Sequence, residues 1–254
     1  MYNATRRNRN IGTPKQGHGQ NNKLTIPKIC AISKTFFERL GNYEKLERTI
    51  NGHDFIFVIE QTRESSKHAC SINDIEKIIE QIAPSDYGNL KLIILRQPKR
   101  KEEILSPVWG RLVYSYEFEN DYFPAIILEA VDYSKKFKWV KKLSIDSQRE
   151  LERLIADGHP IKKAERFFTA DYKLENVRNT QLYRTLLHEF GHYVHYLQTV
   201  EHPTIEDEPI ENWELRDSHY FKISQIEKET FAHKYADTSR QRLIDNNIIP
   251  FNQS

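Results

Sequence analysis

Between about Val177 and Val200 the chain runs without a proline, and apolar Leu182, Leu186 and Leu187 lead into the segment L-L-H-E-F-G-H. That pattern predicts one long helix packed against a body. On such a helix His188 and His192 lie one turn apart on the same face, so both imidazoles reach a single ion. Glu189 projects about 100° round the axis, beside the ion rather than onto it. There a carboxylate can hold a water and take its proton, which is why H-E-x-x-H predicts two zinc ligands and a general base. An accidental trio on a solvated helix would have polar neighbours all round, and this one does not.

A catalytic zinc takes three protein ligands and keeps one position open. His195 stands seven residues after His188, about 10 Å along the axis, and cannot share the ion with both histidines. A second helix, from about Ile223 to Asn246, offers Glu229 within E-K-E-T-F-A-H-K-Y-A, where Ala232 and Ala236 permit close packing on the first. Glu227 is its rival, about 200° away, so only one of the two faces the metal. His233, one turn beyond Glu229, is placed to orient its carboxylate.

The front of the chain alternates. Phe55–Glu60 and Leu90–Leu95 predict strands around a helix over Ile72–Ile82, opened by Ser71 or Asn73, and Ser33–Leu40 predicts a short helix. Strands follow at Arg111–Phe118, where Leu112, Tyr114 and Tyr116 alternate, and at Ala125–Ala130. A helix over Ser147–Ala156 ends at Gly158 and Pro160, and Arg166–Ala170 reads as a short strand. The expected class is α+β. Residues 1–23 are expected to be a disordered basic tail, 24–110 an α/β region suited to selecting a substrate or partner, and 111–254 the catalytic region that carries the metal ligands.

The 254 residues carry a formal charge of +2. Residues 1–37 hold seven basic residues and no acid, leaving a mildly acidic body. The front is therefore either a solvated terminus or a weak nucleic-acid or partner contact. Two cysteines, Cys30 and Cys70, cannot build a disulfide framework, and no apolar run approaches the length of a membrane span. A cytoplasmic protein is expected. Residues 135–142 (KKFKWVKK) interleave five lysines with Phe137 and Trp139, a pattern that suits nucleic acid, acidic peptides or a solvated strand. Residues 201–217 carry seven acids against Arg216, either a cleft rim that would favour basic substrates or a mobile acidic loop. Trp109 and Trp213 read as packing residues.

H-E-F-G-H followed by E-T-F-A-H-K-Y-A resembles the gluzincins, zinc peptidases whose third ligand is a glutamate on a second helix. Within them it is most similar to the group containing the anthrax lethal factor catalytic domain and the Pro-Pro endopeptidases, and more distantly to the ImmA/IrrE-type peptidases. The likeness covers residues 181–240. It implies a zincin-like fold, with a small twisted sheet, an active-site helix and a second ligand helix. It also implies one Zn²⁺ on His188, His192 and Glu229, with Glu189 as the base of a metalloendopeptidase. In those proteins a tyrosine before the third ligand stabilises the oxyanion; the nearest match is Tyr220, about two residues further from Glu229 than the pattern asks. A peptide substrate would lie along an edge strand, and Ala125–Ala130, with Pro124 at its start, is the expected edge. The alternatives are a zinc-binding module without turnover and a nucleic-acid-associated protein using the basic tail and lysine cluster.

Overall fold

The structure, a computed structural model, describes residues 39–105, 108–204 and 208–251. The helix expected over Ser33–Leu40 and the basic tail lie outside these residues or at their margin. Among the described residues the architecture is α+β. A five-stranded sheet has the order β1-β2-β4-β6-β5, formed by β1 (Tyr43–Ile50), β2 (His53–Glu60), β4 (Leu92–Arg96), β6 (Asp121–Glu129) and β5 (Gly110–Phe118). Strands from both sides of residue 110 therefore pair in one sheet. β2, β4 and β6 run parallel to one another, while β1 and β5 are antiparallel to their neighbours.

The central strands are apolar on both faces because both faces are buried. Phe55, Phe57, Ile93, Leu95, Ile126 and Leu128 enter the main core under the helices; Val58, Leu92, Ile94, Ala125 and Ile127 form a second cluster on the opposite face. Strand β1 was not anticipated, since its side chains are mostly exposed and charged. Its one local signal is Asn51-Gly52, both at positive φ, which closes a two-residue hairpin to β2. Between β2 and β4, α1 (Ile72–Ile79) begins at Ser71, whose side chain accepts from Asp74 N–H in a capping box.

Two expectations about the second pair of strands are corrected. β6 is not an edge: it pairs with β4 through Ala125–Glu129 and with β5 on its other side. The free edge beside the helices is β5. Pro124 fits an interior strand because it precedes the first residue paired to β4 and stands opposite a register break between Val113 and Tyr116. That same break flips the strand. Leu112 and Tyr114 face the main core, whereas Tyr116 and Phe118 face the second cluster, so the three alternating residues do not share a side. An extra residue in one strand reverses the pleat beyond it.

Two short strands, β3 (Ser66–Lys67) and β7 (Val131–Asp132), pair beside the main sheet. A further three-stranded sheet has the order β8-β10-β9, from β8 (Lys136–Val140), β9 (Lys162–Lys163) and β10 (Phe167–Asp171). Helix α2 (Arg100–Leu105) precedes β5, and α3 (Ile145–Ala156) sits between β8 and β9. The long helical stretch is α4 (Leu174–Thr180) and α5 (Leu186–Tyr196), with π-helical turns at Gln181–Thr185 and Leu197–Glu201 on either side of α5. The acidic stretch forms α6 (Ile210–Lys222), and α7 (Gln225–Asp245) completes the fold. No helix among the described residues is long and apolar enough to cross a membrane.

Candidate metal centre

Helix α5 is held on nearly every side, with nine of its residues buried between Leu186 and Tyr196. The π turn before it is pinned by Gln181, whose amide donates to the carbonyls of Trp109 (3.0 Å) and Glu129 (2.7 Å) at the ends of β5 and β6. A π turn inserts one residue and turns the helix face by about 100°. The face that carries His188 and His192 is thus set by tertiary anchoring as well as by the 3.6-residue period.

Helix α7 crosses α5 at Gly191. A side chain there would meet Ala232 Cα and O at 2.9 Å, so glycine on one helix and alanine on the other let the backbones touch. This contact brings the expected ligands together. His188 Nε2 and His192 Nε2 lie 3.1 Å apart, and Glu229 places its carboxylate oxygens 3.2 Å from the first and 3.6 Å from the second. One donor atom from each of His188, His192 and Glu229 lies within 4.8 Å of the others. Glu227, the rival, is exposed, whereas Glu229 is half-buried and turned to the histidines.

The donor set suits zinc: two imidazole nitrogens and one carboxylate oxygen, with a cavity on the remaining side. The same two histidines hold the Glu229 carboxyl well below the usual carboxylate range. His233 Nε2 stands 3.9 Å from Glu229 Oε2, its ring 4.4 Å from that of His188; burial, then the neighbouring His188, lower its pKa to about 4.

Glu189 is buried beside the cluster. Burial raises its pKa, opposed by the charges of His188 and His192 and by a hydrogen bond from the Leu112 backbone N–H on β5. The carboxylate thus faces the side of the sheet where Leu112 stands. The other two residues in question lie off the cleft. His195 is buried, stacked on Phe231 at 4.4 Å and edge-on to Tyr220, and takes no part in the cluster. Tyr220 is fully buried; its hydroxyl lies 2.8 Å from that of Tyr114 and bonds to the His192 carbonyl at 3.2 Å. It contacts the backbone of a ligand residue without lining the cavity.

A cleft of about 640 Å³ opens over His188, Glu189 and Glu229. Its walls include Trp109 and Gly110 at the head of β5, Arg153 and Arg184, and residues 135–139 of β8 and its approach. Trp109, read from sequence as packing alone, also faces this space. Residues of the acidic stretch are not among its walls, so among the described residues that stretch is no cleft rim; Arg216 is paired there with Glu208.

The His188/His192 pair with Glu229 matches the signature of H-E-x-x-H zinc proteases with a distal glutamate. Comparison with family models, curated proteins and solved structures finds no match for the chain. The geometry therefore carries the functional argument.

Proposed function

We propose that the protein is a zinc-dependent metalloendopeptidase of the gluzincin type. The observation that carries this reading is the convergence of His188, His192 and Glu229 from two helices beside the buried carboxylate of Glu189. A closed structural zinc site has four protein ligands and no use for an adjacent base. When bound, zinc supplies Lewis-acid chemistry, polarising a peptide carbonyl and making water acidic enough to react near neutral pH.

The chain's own residues do the rest. Glu189 accepts a proton from the attacking water and returns it to the leaving amine. The extended substrate lies along β5. Glu129 N–H donates to the Trp109 carbonyl, so by antiparallel alternation Gly110 and Leu112 turn their backbone groups away from β6, towards the cleft side. Tyr220 acts as a positioning residue on the His192 backbone; contact with an oxyanion would require its hydroxyl to leave Tyr114. Cytoplasmic action belongs to the same proposal, supported by Cys70 as a buried free thiol.

Elemental mass spectrometry on wild type and Glu229→Ala tests the site. About one zinc per chain, lost in the variant, is the expected result. Glu189→Gln should keep zinc and lose about 10²–10⁴ in hydrolysis of a peptide pool; unchanged turnover in that variant would remove the base from the mechanism.

A further inference from the structure

The motif KKFKWVKK, which the metal chemistry leaves unused, lies on the cleft. Five consecutive residues, Lys135 to Trp139, line it. Successive strand residues point to opposite faces, so a strand lines a cavity with all of them only where its edge faces that cavity. β8 is such an edge, paired among the described residues only with β10. Phe137 and Trp139 stack at 4.9 Å and 18°, and Phe137 lies 5.3 Å from Trp109 at the head of β5. The catalytic edge and the β8 edge thus share one aromatic seam.

The charges of this space are unequal in availability. Glu129 and Glu102 are held by Arg96, Glu103 by Arg63 and Lys135, and Glu150 by Arg184. Lys136 and Lys138 stand exposed on β8. Lys136 makes a solvated pair with Asp171 on β10, a type of contact worth little, and Lys138 lies over the Phe167 ring. Those four acids of the cleft are already paired, while these two ammonium groups are still open to an incoming anion. Edge lysines also guard against strand pairing, but that role does not require an aromatic floor joined to the active-site strand.

We propose that β8 is the specificity wall of the cleft, and that the substrate is a peptide whose bulky apolar residue rests on Trp109, Phe137 and Trp139 with acidic neighbours facing Lys136 and Lys138. This rests on the peptidase reading above. The complementarity is between a charged peptide and exposed lysines in partial solvent, so it acts on selection between substrates and on association rate more than on the chemical step.

The test is cleavage profiling of zinc-loaded enzyme on a peptide library varied in acidic, basic and aromatic content, for wild type, Lys136→Glu/Lys138→Glu and Trp139→Ala, with zinc content measured on each. Wild type should prefer acidic peptides containing an aromatic or large aliphatic residue. The charge-reversal variant should retain zinc and lower the acidic-to-basic ratio of kcat/KM about tenfold, and Trp139→Ala should narrow the preference for bulky apolar residues. Both lysines are exposed, so the double variant folds. Cleavage with no charge preference, or with one the double variant leaves unchanged, overturns this inference and spares the peptidase. Zinc-loaded wild type that cleaves no library peptide overturns the peptidase reading itself, and this inference with it. Salt-dependent binding of an oligonucleotide, abolished by Lys136→Glu/Lys138→Glu while peptide selection is unaffected, would give β8 to nucleic acid and overturn it too.

Discussion

Helices α5 and α7 both supply the metal cluster, and they are built in opposite ways. α5 is enclosed, its surroundings the main core on one side and the sheet edge on another. α7 is twenty-one residues long and buries only Ala232, Ala236, Ser239 and Leu243. One helix is held by burial on nearly every side; the other by a narrow stripe of small residues and a few polar ties, among them Tyr235 to Asp86 at 2.8 Å. The comparison shows how a site takes a pair of ligands from an enclosed helix and a third from a helix held along one narrow stripe. It also shows where the site is vulnerable, at the stripe where the two backbones meet.

The largest effects come from the ligands themselves. His188→Ala should remove most zinc and hydrolysis, since its partner histidine on α5 cannot bind the ion at full strength alone. Adding zinc to the metal-free wild type should raise its melting temperature and slow hydrogen exchange in the first turns of α7 more than in α5, which is already protected by burial. Equal protection of both helices without zinc would break the contrast.

Next in size is Gly191→Ala. Alanine favours a helix interior over glycine by about 1 kcal/mol, but its Cβ would meet the Ala232 backbone at 2.9 Å, and backbone yields little. Overpacking of this kind costs about 1–3 kcal/mol. The variant should be net destabilised by chemical denaturation and bind zinc more weakly, because the two helices must separate. A gain in stability would mean that the helices do not touch there.

The footing of α5 is polar as well as apolar, and it sets a pH dependence. His159 is buried against Thr180, which in turn donates to Asp157. Burial lowers its pKa to about 4, with Asp157 and Arg184 acting in opposite directions. The unfolded chain takes up the proton near 6.5 and the folded chain only near 4, so stability is full above about pH 6.5 and declines as pH falls towards 4. His159→Phe should flatten that part of the melting-temperature profile. The smallest effect is on the α7 side: Tyr235→Phe loses one hydrogen bond to Asp86 and should cost about 1 kcal/mol, leaving zinc stoichiometry unchanged.

The legible part of the molecule is the part whose neighbours are near in sequence. The strands β2, β4 and β6 announce themselves by apolar runs, α1 by its Ser71 cap, and α5 by its apolar lead and H-E-x-x-H. β1 and α6 were hidden for the opposite reason: exposed charged residues carry little periodic signal, and the Asn51-Gly52 turn was the sole local mark of the hairpin. The role of Gly191 has no local signal either, because it depends on Ala232 standing against it from another helix.

Local spacing by itself determined that two histidines share a helix face with a carboxylate beside them, because the helical period is a property of the backbone. It narrowed the third ligand to Glu229 or Glu227. Only the tertiary structure decided between them, by burying one side of α7 against Gly191. Only the tertiary structure, too, made β5 the free edge instead of β6, reversed the pleat at the break opposite Pro124, and set β8 in the cleft that His188 and Glu229 also line. Those outcomes depend on which strands pair and in what register, between residues far apart in the chain, and no local pattern encodes that choice.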